Sequence, residues 1–178
     1  MKFVQTILLA AIAVAILVPV AHAQEESMPI NLALWDPIQI FKNDVAIHGV
    51  RLNIYGVNSE LKGVDIGIAN FITGNTTGIQ WGVVNMTKGE FVGWQSAPIN
   101  LVEGHMTGLQ TGMLFARNGS GKGLEAAGVT MSDNFVGLQL GVVNYAVQYH
   151  GLQLGLINII KEGGMLPFFP IFNFSGAN

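Results

Sequence analysis

Apolar and polar residues alternate along this chain in a short unit that returns every fourteen or fifteen residues from Gly49 onward. A glycine opens each unit, at Gly49, Gly63, Gly78, Gly93, Gly108, Gly123, Gly137 and Gly151. The second position is apolar: Val50, Val64, Ile79, Trp94, Leu109, Leu124, Leu138 and Leu152. The third is polar: Arg51, Asp65, Gln80, Gln95, Gln110, Glu125, Gln139 and Gln153. The fourth is mostly apolar again, as in Leu52, Ile66, Trp81 and Leu154. Period two across these positions predicts a strand. A small residue follows at the fifth position, then two mostly apolar ones, as in Gly67-Ile68-Ala69 and Gly82-Val83-Val84. That break in alternation predicts a corner. The eighth position carries Asn70, Asn85, Asn100, Asn144, Asn158 and Asn173, the ninth is apolar, and turn chemistry such as Lys88-Gly89-Glu90 closes the unit.

A unit this short cannot bury a core alone and must stack on its neighbours. Two all-β architectures satisfy the pattern. One is a repeat β-solenoid of 14–15-residue rungs; the other is an antiparallel up-and-down β-barrel of the outer membrane, one strand per unit. The corner and the near-constant unit length favour the solenoid, because stacked rungs must keep one circumference. On this reading positions two and four face the core before the corner, and positions seven and nine face it after. The third-position residues Gln80, Gln95, Gln110, Gln139 and Gln153 then form an exposed stripe suited to a partner. The Asn column either bonds amide to amide from rung to rung or serves only as a turn former.

The units at Gly108 and Gly123 depart most from the pattern. Phe115 and Thr130 stand where Asn is expected, and Arg117-Asn118-Gly119-Ser120-Gly121-Lys122 predicts a protruding turn. A phosphate loop is excluded there, since Ala116 replaces its first glycine and Gly123 its Ser or Thr. The chain divides into a signal segment (1–23), an apolar N-terminal cap (24–48), the tandem repeats (49–165) and a degenerate last repeat with an aromatic C-terminal cap (166–178). The signal reading rests on Lys2, the apolar stretch Ile7 to Val20 and the Ala21-His22-Ala23 cleavage pattern.

Composition narrows the function classes. There is no cysteine, so disulfides, thiolate metal sites and a cysteine nucleophile are excluded. The net charge of -3 and the absence of any Lys/Arg cluster argue against nucleic-acid binding. His48, His105 and His150 fall in separate units, too far apart along a solenoid to share a metal. No hydrolase or metalloprotease motif occurs. Glu90 and Glu103, in the turns of adjacent units, are the one candidate acid pair for a glycosidase-like site.

Three segments together carry a family resemblance: the opening Leu34-Trp35-Asp36-Pro37-Ile38-Gln39, the tandem Gly-Leu-Gln-x-Gly-x-x-Asn units, and the closing run Lys161-Glu162-Gly163-Gly164 through Pro170-Ile171-Phe172-Asn173. In these the chain resembles a bacterial surface-repeat family of uncharacterised exported proteins, from about Leu32 to Phe174. The resemblance implies export to the cell surface, outer membrane or periplasm, and no established activity. Combined with the residue reading, the expectation is an exported, surface-associated structural and interaction protein, not an enzyme. It needs no cofactor, and its partner is an unknown surface molecule or a second copy. A small outer-membrane barrel is the alternative, and a carbohydrate-active enzyme the second alternative.

Overall fold

The computed structural model describes residues 27–176, so the signal segment expected at 1–23 lies outside the described residues. The strands are β1 (Ser27–Trp35), β2 (Ile38–Gln39), β3 (Ala46–Asn58), β4 (Leu61–Ile72), β5 (Thr76–Trp81), β6 (Val84–Thr87), β7 (Phe91–Ser96), β8 (Ile99–Thr111), β9 (Phe115–Glu162) and β10 (Phe168–Ser175). Equivalent positions pair side by side on parallel strands: Gly49 with Gly63, Gly63 with Gly78, Gly78 with Gly93, and Gly93 with Gly108. The chain is therefore a β-solenoid of about seven turns and not a barrel. Strand β4 pairs with both β5 and β6, because the next coil bends between Trp81 and Val84. The predicted corner is at that bend.

The glycine column is fixed by the stacking. At Gly93 the backbone sits at φ 139°, and a Cβ there would lie 1.9 Å from the carbonyl oxygen of Gly78 one coil earlier. Side chains rarely adopt that φ, and the neighbouring carbonyl leaves no room for one. The same contact recurs from Gly49 to Gly151.

The expected orientation of the strands is inverted. Positions two and four face outward, and position three faces inward: Gln80, Gln95 and Gln110 are 0% exposed, whereas Trp81 is 53% exposed. Beyond the corner, position eight and the residue two places further on face inward, and positions seven and nine do not. The apolar core comes from columns outside the expected set. One lies two residues before each glycine (Ile47, Leu61, Phe91, Met106, Phe135, Tyr149), the other two residues after the Asn column (Ile72, Val102, Ala146, Ile160). Phe135 and Tyr149 stack at 6.1 Å on successive coils. The physical reason is parity. Gly49, Ile47 and Arg51 lie two residues apart and must share a face, so the third position goes inward with the apolar residue that precedes the glycine.

The segment 117–122 does not protrude. It belongs to β9, with Asn118 fully buried. An extra residue sets Asn100 beside Ala116 rather than Phe115, and a register shift between Val102 and His105 restores Gly108 beside Gly123. At the ends, β1 stacks parallel on β3 and carries the short antiparallel β2, while β10 runs antiparallel to β9 with Asn173 beside Gln153. Pro170 removes a backbone donor from this last strand, which blunts its edge.

Candidate functional site

The structure sorts the chemistry of the repeat into a polar interior and an apolar exterior. The interior is a chain of side-chain hydrogen bonds running across coils. It starts at Arg51, whose guanidinium donates to both oxygens of Asp65 at 2.8 and 2.6 Å, with neither side chain exposed. Asp65 also accepts from Asn53 at 3.0 Å and Gln80 at 3.1 Å. Gln95 then donates to Gln80 at 3.0 Å, and Gln110 to Gln95 at 2.8 Å. Further along, Gln139 donates to Glu125 at 2.6 Å and Gln153 to Gln139 at 2.7 Å. Gln80, Gln95 and Gln139 each give a hydrogen to the coil before and accept one from the coil after, so their burial leaves little unsatisfied, whereas Gln153 Oε1 at the end of the series has no partner.

The stripe Gln80, Gln95, Gln110, Gln139 and Gln153, expected to meet a partner, is thus inside and cannot be reached from solvent. A stacked amide satisfies its own polar groups, which removes the usual penalty for burying it.

The Asn column forms the ladder. Asn70 donates to Asn85 at 2.7 Å, Asn85 to Asn100 at 3.1 Å, and Asn144 to Asn158 at 2.8 Å. Thr130, standing in for Asn, donates to Asn144 at 2.7 Å. The same amides also bind backbone carbonyls beside the bend: Asn70 reaches Trp81 O, Asn85 reaches Ser96 O, Asn100 reaches Thr111 O and Asn144 reaches Leu154 O. Asn173 closes the column by donating to Leu166 O at 2.8 Å.

Glu125 breaks the glutamine series. A carboxylate has no hydrogen to give to Gln110, so two acceptors face each other across adjacent coils. Asn118 lies between them, donating to Gln110 at 3.1 Å and to Glu125. Ser132 adds a third donor to Glu125 at 2.7 Å, beside Gln139. The units at Gly108 and Gly123, which have Phe115 and Thr130 in place of the eighth-position Asn, are the ones that bring in Asn118 and Ser132. Burial pushes the Glu125 carboxyl up to about 7, against the lowering effect of Gln139, Ser132 and Asn118. No Lys, Arg or His pairs with it among the described residues.

The exterior is the surface that can meet another molecule. Val50, Leu52 and Ile54 point outward on one coil, Ile66 and Ile68 on the next, Ile79, Trp81 and Val83 on the third, and Leu152, Leu154 and Leu156 on a late one. Trp81 and Trp94 touch across coils at 5.9 Å between ring centroids, and the Trp94 indole donates to Thr111 Oγ1 at 3.0 Å. Positions two, four and six carry no charged residue on any coil from Gly49 to Gly151. Lys62, Lys88, Glu90, Glu103 and Lys122 are exposed on the opposite, turn-bearing edge. Sequence reasoning missed this face because it assigned the same residues to the core.

Glu103 lines a cavity of about 290 Å³ with Arg117 and Asp133, and Glu90 lies outside it. His48 meets Glu60 at 3.3 Å and His105 meets Ser120 at 2.8 Å, and no cluster of potential metal ligands occurs among the described residues.

The fold and its exterior define a parallel β-solenoid with an inverted polarity: amide ladders inside, aliphatic and indole side chains outside. Compared with known proteins, the chain matches no family model, no curated protein and no solved structure.

Proposed function

We propose that this is an exported, surface-associated structural and interaction protein that works without catalysis, through its outward apolar face. The observation that carries this reading is the face itself: uncharged at positions two, four and six of every coil, and lined by Ile68, Trp81, Val83 and Leu156, which are 49–69% exposed. Contiguous apolar surface on such a scale marks a place where a protein meets something else. The polar residues first suited to recognition are consumed in the interior ladders, which leaves the apolar positions as the working surface. Export is supported by the sequence alone, through Lys2, the apolar stretch Ile7 to Val20 and the Ala21-His22-Ala23 pattern.

The test is the double substitution Ile68→Asp with Val83→Asp. Both side chains point outward beside the bend, so the circular-dichroism spectrum should be unchanged. Retention of the protein in the cell-surface fraction should be lost. Retention equal to that of the unsubstituted chain would refute the reading.

A further inference from the structure

The face described above wraps the bend of every coil, and its geometry restricts what can cover it. We propose that the bend-side edge of the solenoid is buried in the hydrocarbon of a single lipid leaflet, with the turn-bearing edge left in the headgroups and water. This names the partner for the proposed surface association and rests on that reading.

Three observations favour lipid over a protein surface. First, the apolar side chains lie on both sides of the bend as well as at its tip. Trp81 and Leu154 lie before it, Ile68 and Leu156 at it, and half-buried Phe71 and Ile159 after it. A second copy or a flat partner covers one side of such a wedge; a fluid covers all of it.

Second, most backbone N–H groups at the bend are bonded within the protein, with Met113 N the exception. Gly82 N donates to Ser96 O, Val83 N to Ile68 O, Ala97 N to Thr111 O, Gly112 N to Ala126 O and Val129 N to Leu114 O. Asn85 and Asn100 bind the carbonyls of Ser96 and Thr111 that also receive these amides. Water or a partner's polar groups would meet that need for an ordinary exposed bend. Hydrocarbon cannot, and internal satisfaction of the backbone is the condition for immersion in it.

Third, the dimensions and charges match one leaflet. From position two to the end of the strand at position four, Ile79 to Trp81, a coil rises about 7 Å at 3.3 Å per residue before it bends at Gly82 and Val83, a depth that fits inside one leaflet. Half of a bilayer's hydrocarbon core is about 15 Å. Just below that band, the outward residue preceding each glycine is His48, Lys62, Thr77, Thr107, Lys122 or His150 on most coils, polar groups suited to the headgroup level. The net charge of -3 offers no attraction to anionic lipid, so insertion is driven by apolar burial and is insensitive to salt.

The experiment uses the full chain with Trp35→Phe, which leaves Trp81 and Trp94 as the only indoles. No tryptophan lies in residues 1–26, so any signal reports on the bend and not on the N-terminal segment. The protein is mixed with phosphatidylcholine vesicles whose acyl chains are brominated, and with unbrominated controls. Bromine on the chains should lower indole emission several-fold, and the vesicles should shield the indoles from aqueous acrylamide. Raising the salt should change neither result. The Ile68→Asp, Val83→Asp variant should lose the bromine quenching while keeping its circular-dichroism spectrum. Emission unaffected by brominated lipid would overturn the proposal. If the same variant nonetheless lost surface retention, the occupant would be a protein, and the broader reading would stand without the lipid. Protection from acrylamide in the absence of vesicles, with sedimentation as a dimer, would likewise overturn lipid in favour of a second copy.

Discussion

Replacing Glu125 by Gln should stabilise the protein at neutral pH and leave it unchanged in acid. Glu125 is fully buried, faces Gln110 as a second acceptor, and has only the neutral donors Asn118, Ser132 and Gln139 around it. Its carboxyl is pushed up to about 7 from the ordinary 4.5, with burial as the largest cause. Between those two values the folded protein holds a proton that the unfolded chain has released. Stability from this group is therefore complete below pH 4.5, declines as pH rises, and is lost above about pH 7. At about 1.4 kcal/mol per pH unit, ionisation costs the fold about 3 kcal/mol. A glutamine removes that cost and can continue the ladder, giving a hydrogen to Gln110 and accepting one from Gln139. Urea unfolding of both proteins from pH 4 to 8 checks this. The Glu125→Gln variant should match the parent near pH 4 and exceed it by about 3 kcal/mol near pH 8. Hydrogen exchange of the neighbouring amides gives the same comparison locally, which matters because stacked repeats can unfold in parts. A difference that stays constant with pH would refute the reasoning, as would a less stable variant at pH 8.

Gly93→Ala should cost about 3 kcal/mol or more, because the new methyl would lie 1.9 Å from Gly78 O at a φ that side chains avoid; a large fall in the urea midpoint checks it. Asp65→Ala strands the Arg51 guanidinium in the interior and should destabilise by about 3–5 kcal/mol, read the same way. Asn85→Ala takes one of two acceptors from the Asn70 amide, removes one donor from the Ser96 carbonyl and leaves Asn100 Oδ1 unpaired, and should cost about 2 kcal/mol, with faster amide exchange at the bend as the local readout.

The sequence alone established the unit, its length and its corner, because each follows from spacing; it favoured stacked rungs over an antiparallel barrel, and the parallel pairing of Gly63 with Gly78 decided between them. A fifteen-residue period with one break in alternation admits few closed paths, and equal units stack with equal residues in register. The Asn column was legible as a column, and the structure chose the amide ladder over the turn former that the spacing also allowed. The bend itself was visible where two apolar residues follow Gly67 or Gly82.

Only the tertiary structure decided which face is inside. Period two separates two sets of side chains but assigns neither to the core. The usual rule, apolar inward, would have put Trp81 and Leu154 in the interior and the glutamines in water. Two facts settle the matter the other way. Register stacking lets Gln80, Gln95 and Gln110 satisfy one another, so their burial carries little penalty. The core also needs only the columns of Phe91, Met106 and Phe135 on one strand and Val102 and Ile160 on the other. The partnership of Asn118 and Ser132 with Glu125 was likewise hidden, because it joins residues seven apart across a coil whose extra residue had been read as a loop. Spacing along the chain determines which residues can stack, while the width of the interior and the pairing of its polar groups determine which of them are buried.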